Sequence, residues 1–274
     1  MEGFFMEFLT LNTGIQIPYV GSGTNTFGKV NQQYDGEIND DTSELMSAID
    51  VGYRHFDTAI SYRNERVVGL AMKQSELPRE DFFITSKIPG RPEFISSEKA
   101  VIDAVESTLT ALDSSYVDLY LIHHPWPNLE EMVLVWKILE KFVDEGKIKA
   151  LGVSNFNEKQ LMYLIDHSRI KPAVNQVESN PGNWNHEIIE FSLKNQVIPE
   201  AWGPLKKVNE TTRATLTEIG EKYDKSWAQV LLRYQIERNV IVIPKSHNSK
   251  RQKENLALFD FSLSNEERAT IGKL

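Results

Sequence analysis

Short runs of apolar and β-branched residues recur along the chain, separated by polar or glycine-containing segments. Runs of this length and composition favour strands over helices. The eight runs that we predict to be strands span residues 17–24, 53–58, 82–87, 117–124, 148–155, 173–178, 197–202 and 239–246. Their recurrence indicates a fold made from a repeated supersecondary unit.

The segments between these runs carry apolar residues three or four positions apart, which is the spacing of one face of an amphipathic helix. Two examples are Met132, Trp136, Leu139 and Val143, and Trp227, Val230, Leu231 and Tyr234. Ser226 with Gln229 and Ser264 with Glu267 fit the capping-box pattern of a helix start. We therefore expect helices between the strands.

Strict alternation of strand and helix predicts right-handed βαβ crossovers and a parallel sheet. Eight such units predict the α/β fold of a closed (β/α)₈ TIM barrel, as a single domain over residues 1–274. Asn12, Thr13 and Gly14 lie between two short extended runs, which predicts an N-terminal β-hairpin that closes the bottom of the barrel. A doubly wound open sheet is the alternative, but such a sheet would be expected to carry a GxGxxG or P-loop turn, and the sequence has neither.

The net charge and the cysteine count then limit the kinds of partner and site that the chain is expected to have. The formal net charge is −9, from 30 basic and 39 acidic residues, which disfavours nucleic acids and anionic membranes. With no cysteine, the chain has no disulfide, no thiolate metal site and no cysteine nucleophile, and a cytoplasmic location is favoured. Residues 1–14 lack the basic start and apolar run of a signal peptide, and no segment approaches the ~20 apolar residues of a membrane span.

Polar residues stand where the predicted strands end. Barrel enzymes carry their chemistry at the C-terminal ends of the strands, so these residues are expected to converge on one mouth. In chain order they are Asn25, Asp57, Lys87, His123, Ser154 with Asn155, Gln176 with Glu178, Trp202, and Lys245 with Ser246.

Four candidates suit the reduction of a carbonyl group if they meet at that mouth. The Lys87 ammonium would lower the pKa of the Tyr62 phenol, and the Asp57 carboxylate would keep that ammonium charged. The imidazole of His123 would orient or polarise the carbonyl oxygen. The hydride would have to come from a cofactor, because no side chain donates one.

Each candidate also has a simpler interpretation. Asp57 and Lys87 can be a structural ion pair, Tyr62 a surface residue at a helix start, and His123 a histidine of the core. A metal site at His123 and His124 is disfavoured because adjacent strand residues point to opposite faces. A Schiff-base role for Lys87 would need a lowered pKa, which a neighbouring Asp57 opposes.

The chain resembles the aldo-keto reductase family, and in particular its bacterial members, over nearly its whole length. The matching stretches are 52–71 (GYRHFDTAISYRNERVVGLA), 84–88 (ITSKI), 117–125 (VDLYLIHHP), 149–156 (KALGVSNF), 173–178 (AVNQVE), 200–205 (EAWGPL), 243–246 (IPKS) and 251–255 (RQKEN). The resemblance implies an NADPH-dependent oxidoreductase that acts on aldehydes and ketones. It implies Tyr62 as the general acid, Lys87 and Asp57 as its tuning pair, and His123 as the residue that orients the substrate.

The resemblance also implies the cofactor contacts. Ser154, Asn155 and Gln176 would bind the nicotinamide carboxamide, and Trp202 would stack on the ring. Other cofactor contacts are implied for Gly23, Thr24, Gly203, Pro204 and Leu205. The adenosine-phosphate grip would consist of Lys245, Ser246, His247, Asn248, Arg251, Glu254 and Asn255. Two cations at a helix start suit the 2′-phosphate of NADPH, whereas the sequence leaves open whether His247 contacts the adenosine or faces solvent.

Departures from the family pattern bear on the substrate. Asn25, Pro89 and His124 stand where many members carry aromatic pocket residues, and the chain ends at Leu274, before the long C-terminal loop of many relatives. We therefore expect an open, polar pocket for small carbonyl compounds such as 2-oxoaldehydes, keto sugars or aldoses. The alternative function is a cofactor-binding regulatory module with negligible turnover, and the family favours a monomer.

Overall fold

The computed structural model describes residues 7–274, so the first six residues of the segment tested for a signal peptide lie outside it. Within that range the strands are β1 (Phe8–Thr10), β2 (Gln16–Pro18), β3 (Ser22–Gly23), β4 (His55–Asp57), β5 (Phe83–Ile88), β6 (Val117–Ile122), β7 (Ile148–Ser154), β8 (Val174–Glu178), β9 (Ile198–Trp202) and β10 (Ile241–Val242). The helices are α1 (Ser43–Val51), α2 (Glu65–Gln74), α3 (Pro92–Ile95), α4 (Glu98–Ala111), α5 (Leu129–Asp144), α6 (Glu158–His167), α7 (His186–Lys194), α8 (Glu210–Glu221), α9 (Trp227–Ile236), α10 (Ser249–Leu256) and α11 (Asn265–Ile271).

Strands β3 to β10 form one parallel sheet in the order of the sequence. The sheet closes on itself because Val20 forms a parallel bridge with Val242, with the Gly21 N–H donating to the Val242 carbonyl at 2.9 Å. The backbones approach closely at this seam, since a Cβ on Gly23 would lie 3.2 Å from the Ile243 carbonyl oxygen. The prediction of a (β/α)₈ barrel is confirmed.

The predicted hairpin is present as β1 and β2, with Gly14 in its turn at φ 84°. Its buried side chains, Leu11 and Ile17, pack with inward-facing residues near the start of the barrel strands, including Phe83 and Leu119. The side-chain amide of Asn12 donates to the Pro172 carbonyl at 2.8 Å. The hairpin therefore covers the end of the barrel opposite the C-terminal strand ends.

The first and last predicted strands are shorter in the structure than in the sequence pattern. Residues 16–18 pair with β1 in the hairpin, so only Ser22 and Gly23 remain for the barrel strand β3. Strand β10 ends at Val242, and Pro244 has no N–H to donate to a further ladder bond. The other six strands lie within two residues of the predicted bounds at either end.

The helices pack around the barrel through the apolar faces that the spacing predicted. Met132, Trp136 and Leu139 of α5 are each fully buried. Both predicted capping boxes are formed, at Ser226 and Ser264, and a third at Asn157 was not predicted. Among the residues described, no helix combines the length and the apolar character needed to cross a bilayer.

Candidate active site

Three of the predicted catalytic side chains meet at the C-terminal end of the barrel. Asp57 ends β4, Lys87 lies near the end of β5, and a single 3₁₀ turn over Ile60–Tyr62 carries Tyr62 back over the strand ends. The Lys87 ammonium donates to Asp57 Oδ1 at 2.7 Å, to the Thr58 carbonyl at 3.0 Å and to the Tyr62 hydroxyl at 3.3 Å. Lys87 and Asp57 are buried, whereas Tyr62 reaches the cavity above them.

Burial and charge act in opposite directions on this group. Burial is the largest single effect on Lys87 and lowers its pKa, but the charges and hydrogen bonds of Asp57 and Tyr62 together outweigh it, so the net pKa is raised. Burial likewise raises the pKa of Tyr62, and the Lys87 charge offsets only part of that rise. The expected net lowering of the Tyr62 pKa is therefore not found here, because desolvation of the phenol is the larger effect. Tyr62 carries its proton at neutral pH, and the nearby ammonium favours the phenolate that would form on proton transfer.

His123 lies directly beyond β6, next to Tyr62, with the two ring centroids 5.6 Å apart and nearly perpendicular. Burial and the Lys87 charge lower the pKa of His123 to about 2, so its ring is neutral. Its Nδ1 is buried without a hydrogen-bond partner among residues 7–274, which leaves Nε2 for a ligand in the cavity. A neutral Nε2–H is suited to donate to a carbonyl oxygen.

Strand alternation predicted that His124 faces away from His123, and this prediction is wrong. Strand β6 ends at Ile122, so alternation does not apply to the two histidines, and their rings stack with centroids 4.6 Å apart. No cluster of three or more His, Cys, Asp or Glu in the described part of the chain is suited to a metal ion. The raised pKa of Lys87 is also the opposite of what a Schiff-base lysine requires.

A cavity of about 510 Å³ opens above this group. It is bounded by the ends of several strands and by the loops that follow them. The predicted site residues that line it are Gly23, Thr24, Asn25, Asp57, Tyr62, His123, His124, Ser154, Asn155, Gln176, Trp202, Gly203, Pro204, Leu205 and Lys245. The size and the mixed polar and aromatic wall suit a small-molecule ligand together with part of a cofactor.

One wall of the cavity presents amide and hydroxyl groups beside an indole. Asn155 adopts a left-handed conformation, φ 63°, which asparagine tolerates better than most residues. Its Oδ1 accepts from Trp202 Nε1 at 2.9 Å, and its Nδ2 donates to Ser154 Oγ at 2.9 Å. Gln176 Nε2 donates to Asp57 Oδ2 at 2.7 Å. A ring carboxamide would find both donors and acceptors on this wall, next to a flat aromatic side chain.

A cationic helix start lies beyond the other end of the cavity. Asn248 caps α10 by accepting from the Arg251 N–H at 3.1 Å, and the Ser246 hydroxyl accepts from the Asn248 N–H at 3.1 Å. The Arg251 side chain is exposed, with no hydrogen bond or ion pair to another described residue. A free guanidinium at a helix N-terminus suits a phosphate group. Glu254 is half-buried and Asn255 is buried on the same helix.

His247 is solvent-exposed overall, but its ring nitrogens contact two neighbouring side chains. Its Nδ1 is hydrogen-bonded to the Glu44 carboxylate, and its Nε2 lies 2.9 Å from Thr26 Oγ1. Lys245 donates to the same Thr26 hydroxyl at 2.9 Å and to Asn25 Oδ1 at 2.9 Å. His247 thus joins the start of α10 to the loop after β3, and whether it also contacts the adenosine stays a prediction.

Pro89 and Glu178 also lie apart from the cavity wall. Pro89 is buried behind the end of β5 and is not among the residues that line the cavity, so the expectation that it forms the substrate pocket is not met in this structure. Glu178 turns toward the loop after β8, where it accepts from Asn183 Nδ2 at 2.9 Å.

Several residues of the site were missed by sequence reasoning. Tyr34 stands over the cavity on the loop after β3, with its ring 5.9 Å from that of Tyr62. The buried Lys29 ammonium holds this loop by donating to the Tyr34 carbonyl at 2.5 Å. Lys206 also lines the cavity, 5.0 Å above the Trp202 ring. Glu200 lies beneath Gln176 inside the barrel; a single acid within the apolar run of β9 was the signal that could have identified it.

Comparison with known proteins gives a consistent result. The model of the aldo/keto reductase family matches residues 19–274. The chain is 39% identical over 268 residues to the glyoxal reductase of Bacillus subtilis, covering 98% of this chain and 92% of that protein. Its structure is similar to the crystal structure of an aldo/keto reductase from Brucella melitensis, with a TM-score of 0.89, 37% identity, and 98% and 99% of the two chains covered. It is also similar to a Bombyx mori aldo-keto reductase in complex with NADP, with a TM-score of 0.86, 32% identity, and 98% and 92% covered.

Proposed function

Because this chain belongs to the aldo/keto reductase family, we propose that it reduces small, polar aldehydes and ketones to alcohols with Tyr62 as the proton donor. The chain is an oxidoreductase that acts on carbonyl and alcohol groups, and its cofactor is NADP(H). The proposal concerns the residues that carry out the reaction and the class of substrate.

The observation that carries the proposal is the line of hydrogen bonds from Asp57 through Lys87 to Tyr62. The ammonium lies 2.7 Å from the carboxylate and 3.3 Å from the hydroxyl, and of the three groups the ammonium is the most deeply buried. A structural ion pair alone would not require a third partner with its hydroxyl at the floor of a cavity. The alignment suits proton transfer to an oxygen that stands above Tyr62.

NADPH, when bound, supplies the hydride that reduces the carbonyl carbon. Tyr62 then gives its proton to the carbonyl oxygen as negative charge develops there. Lys87 stabilises the resulting phenolate, and Asp57 keeps Lys87 charged in a water-poor site. His123, neutral at assay pH, donates from Nε2 to the same carbonyl oxygen and holds it toward Tyr62.

Named residues also suit the two ends of the cofactor. Ser154, Asn155 and Gln176 would hold the carboxamide of the nicotinamide, and Trp202 would stack on the ring. Arg251 and the N-terminus of α10 would bind the 2′-phosphate, because their donors have no competing anion among the described residues. This last contact favours NADPH over NADH.

The polar mouth of the cavity supports small substrates with a second oxygen, such as 2-oxoaldehydes. Asn155 Nδ2 donates to His124 Nδ1 at 3.1 Å, so Nε2 is the ring nitrogen of His124 that stays available in the cavity. An Nε2–H beside the carbonyl-binding His123 would donate to the neighbouring oxygen of such a substrate. The relative from Bacillus subtilis is itself a glyoxal reductase. Keto sugars and aldoses are also small, polar carbonyl compounds and belong to the proposed substrate class.

The experiment is to follow NADPH oxidation optically with the purified protein and methylglyoxal, glyceraldehyde, xylose and an aromatic aldehyde. We expect turnover with NADPH, slower turnover with NADH, and the highest kcat/KM for methylglyoxal. NADPH binding without oxidation of any carbonyl would contradict the proposal and favour a cofactor-binding regulatory module. A much higher kcat/KM for large apolar aldehydes than for methylglyoxal would contradict the proposed substrate class, but it would agree with the proposed reductase activity.

We also propose that the protein is a cytoplasmic monomer. The absence of cysteine and the acidic charge support the location. Elution in gel filtration at the mass of a dimer, from micromolar samples, would contradict the monomer.

A further inference from the structure

Glu200 places a second carboxyl group inside the barrel, beneath the site. It lies in the middle of β9, in register with Gln176 on β8 and Ile241 on β10, and it is 0% exposed. The proposed mechanism does not use it. A fully buried glutamate is rare unless it is paired or protonated, so its surroundings decide its state.

The amide of Gln176 links Glu200 to the catalytic carboxylate. Gln176 Nε2 donates to Asp57 Oδ2 at 2.7 Å and also donates to Glu200 Oε1. A primary amide has two N–H groups, so both donors are used below the cavity. Gln176 Oε1 is then the atom left for a ligand, on a side chain that lines the cavity. Glu200 and Asp57 together fix which way this amide points.

The charges around Glu200 do not balance if it is ionised. The titratable groups that face it come from β4 (His55 and Asp57) and β5 (Lys87), while β8 and β10 contribute Gln176 and Ile241, which carry no charge. Lys87 is already paired with Asp57 at 2.7 Å. His55 Nε2 lies 3.7 Å from Glu200 Oε2, but burial lowers the pKa of His55 to about 3, so it brings no positive charge.

One ammonium therefore serves both Asp57 and Glu200 in an interior that is closed to solvent, and two like charges there are strongly unfavourable. Glu200 is the carboxyl that lacks a cation, since its Oε2 has no hydrogen bond to any other described residue. We propose that Glu200 carries a proton in the active enzyme, and that it is a positioning residue which holds Gln176 and leaves Lys87 to Asp57 and Tyr62.

Loss of that proton would disturb the site in a defined direction. Burial, followed by the Asp57 charge, raises the pKa of Glu200 to about 8. Above that pH a second anion competes with Asp57 and Tyr62 for Lys87, raises the pKa of Tyr62 and makes it a weaker acid. The rate of the proton-transfer step should then fall as the pH rises through about 8.

The kinetic test, which rests on the proposed function, is the dependence of kcat on pH from about 6 to about 10 at saturating NADPH and aromatic aldehyde. The wild-type protein should lose activity along a limb near pH 8. Glu200→Gln keeps an acceptor for Gln176 but cannot ionise, so its limb should move up by about one pH unit or more. Glu65→Gln is the matched control, because Glu65 is also a buried acid but bonds to Ser86 Oγ at 2.5 Å, and its limb should stay with that of the wild type.

Thermal unfolding tests the proton on Glu200 without any turnover. A glutamate whose pKa is about 4.3 when unfolded and about 8 when folded destabilises the fold increasingly as the pH rises between these values. Glu200→Gln has no such penalty, so its melting temperature relative to wild type should rise steadily from about pH 5 to about pH 8. Glu200→Leu should show the same trend and, because Gln176 loses a partner, a higher Kd for NADPH than Glu200→Gln.

The outcomes separate the two proposals. The proposed role of Glu200 would be contradicted by identical pH profiles for wild type and Glu200→Gln, together with a difference in melting temperature that does not change with pH. The proposed reductase activity would not be affected by that result. Absence of turnover in all variants, with the expected trend in melting temperature, would overturn the proposed function and keep the protonated glutamate.

Discussion

The two ends of the proposed cofactor site are built in opposite ways. At the inner end, Asp57 and Lys87 come from neighbouring strands, are almost fully buried and make every hydrogen bond to fixed partners. At the outer end, Arg251 projects from the first turn of α10 into solvent. Charges buried in a fixed frame interact strongly, and loss of one leaves its partner buried without compensation, whereas exposed charges are screened and contribute modestly. The chemistry should therefore depend on the inner end, and cofactor choice on the outer end.

The largest effect should follow removal of the charge at the inner end. Lys87→Met leaves Asp57 buried without its cation, so we expect a loss of about 3–5 kcal/mol in stability. We also expect kcat to fall by about 100-fold or more, because the phenolate of Tyr62 loses its stabilising ammonium. Urea unfolding and single-turnover rates measure the two effects.

The double variant Asp57→Asn with Lys87→Met separates stability from catalysis. Removing both charges should restore much of the stability while the rate stays low. Recovery of the rate in the double variant would show that the ion pair is structural.

A smaller effect, confined to binding, is expected at the outer end. Arg251→Ala should raise the Kd for NADPH by about 10- to 100-fold, the equivalent of one charge-assisted hydrogen bond, with little change for NADH. Lys250→Ala, on the same helix start, is the matched control and should change the Kd by less than about twofold, since an 86% exposed side chain contributes little. Fluorescence titration measures both. Equal losses for the two cofactors would contradict a 2′-phosphate contact at Arg251.

Between the two ends, His124 should influence which substrate is preferred. His124→Phe removes the nitrogen that faces the cavity, so the ratio of kcat/KM for methylglyoxal over propanal should fall by about 2- to 10-fold, the range of one neutral hydrogen bond. His124→Gln keeps a donor and should retain more of the ratio. No change in the ratio for His124→Phe would mean that the second oxygen is bound elsewhere.

The smallest effect should come from salt. Raising KCl from about 50 mM to about 500 mM should weaken NADPH binding severalfold, because the contact at α10 is exposed, while kcat at saturating NADPH hardly changes. A salt-sensitive kcat would contradict the contrast between the buried and exposed ends.

The sequence predicted which residues meet at the inner end, but it did not predict the direction of the pKa shift of Tyr62. The strand pattern placed Asp57, Lys87 and His123 at strand ends, and the barrel brings these positions together. The balance between burial and the Lys87 charge on Tyr62 depends on packing around the phenol, which no local pattern encodes. The direction of His124 was wrong because the strand ends two residues earlier than the apolar run suggested.

Other features could not be predicted from the spacing of apolar residues. The loop that carries Tyr34 has neither helical nor strand spacing, and it depends on the buried Lys29, whose partners are backbone carbonyls of residues 25 and 34. Glu200 contacts Gln176 on the neighbouring strand β8, and the alternation of residues along a strand does not specify that register. Apolar residues repeating every two or 3.6 positions show which face of a strand or helix is buried. Contacts inside a closed barrel depend in addition on the register between neighbouring strands.

The central claim is that Tyr62 donates the proton, and Tyr62→Phe tests it most directly, with kcat for methylglyoxal and the Kd for NADPH measured on the same preparation. The account predicts that kcat falls by about 10²- to 10⁴-fold, the usual contribution of a general acid, while the Kd changes by less than about twofold. A Tyr62→Phe protein that still reduces methylglyoxal at close to the wild-type rate would contradict the claim.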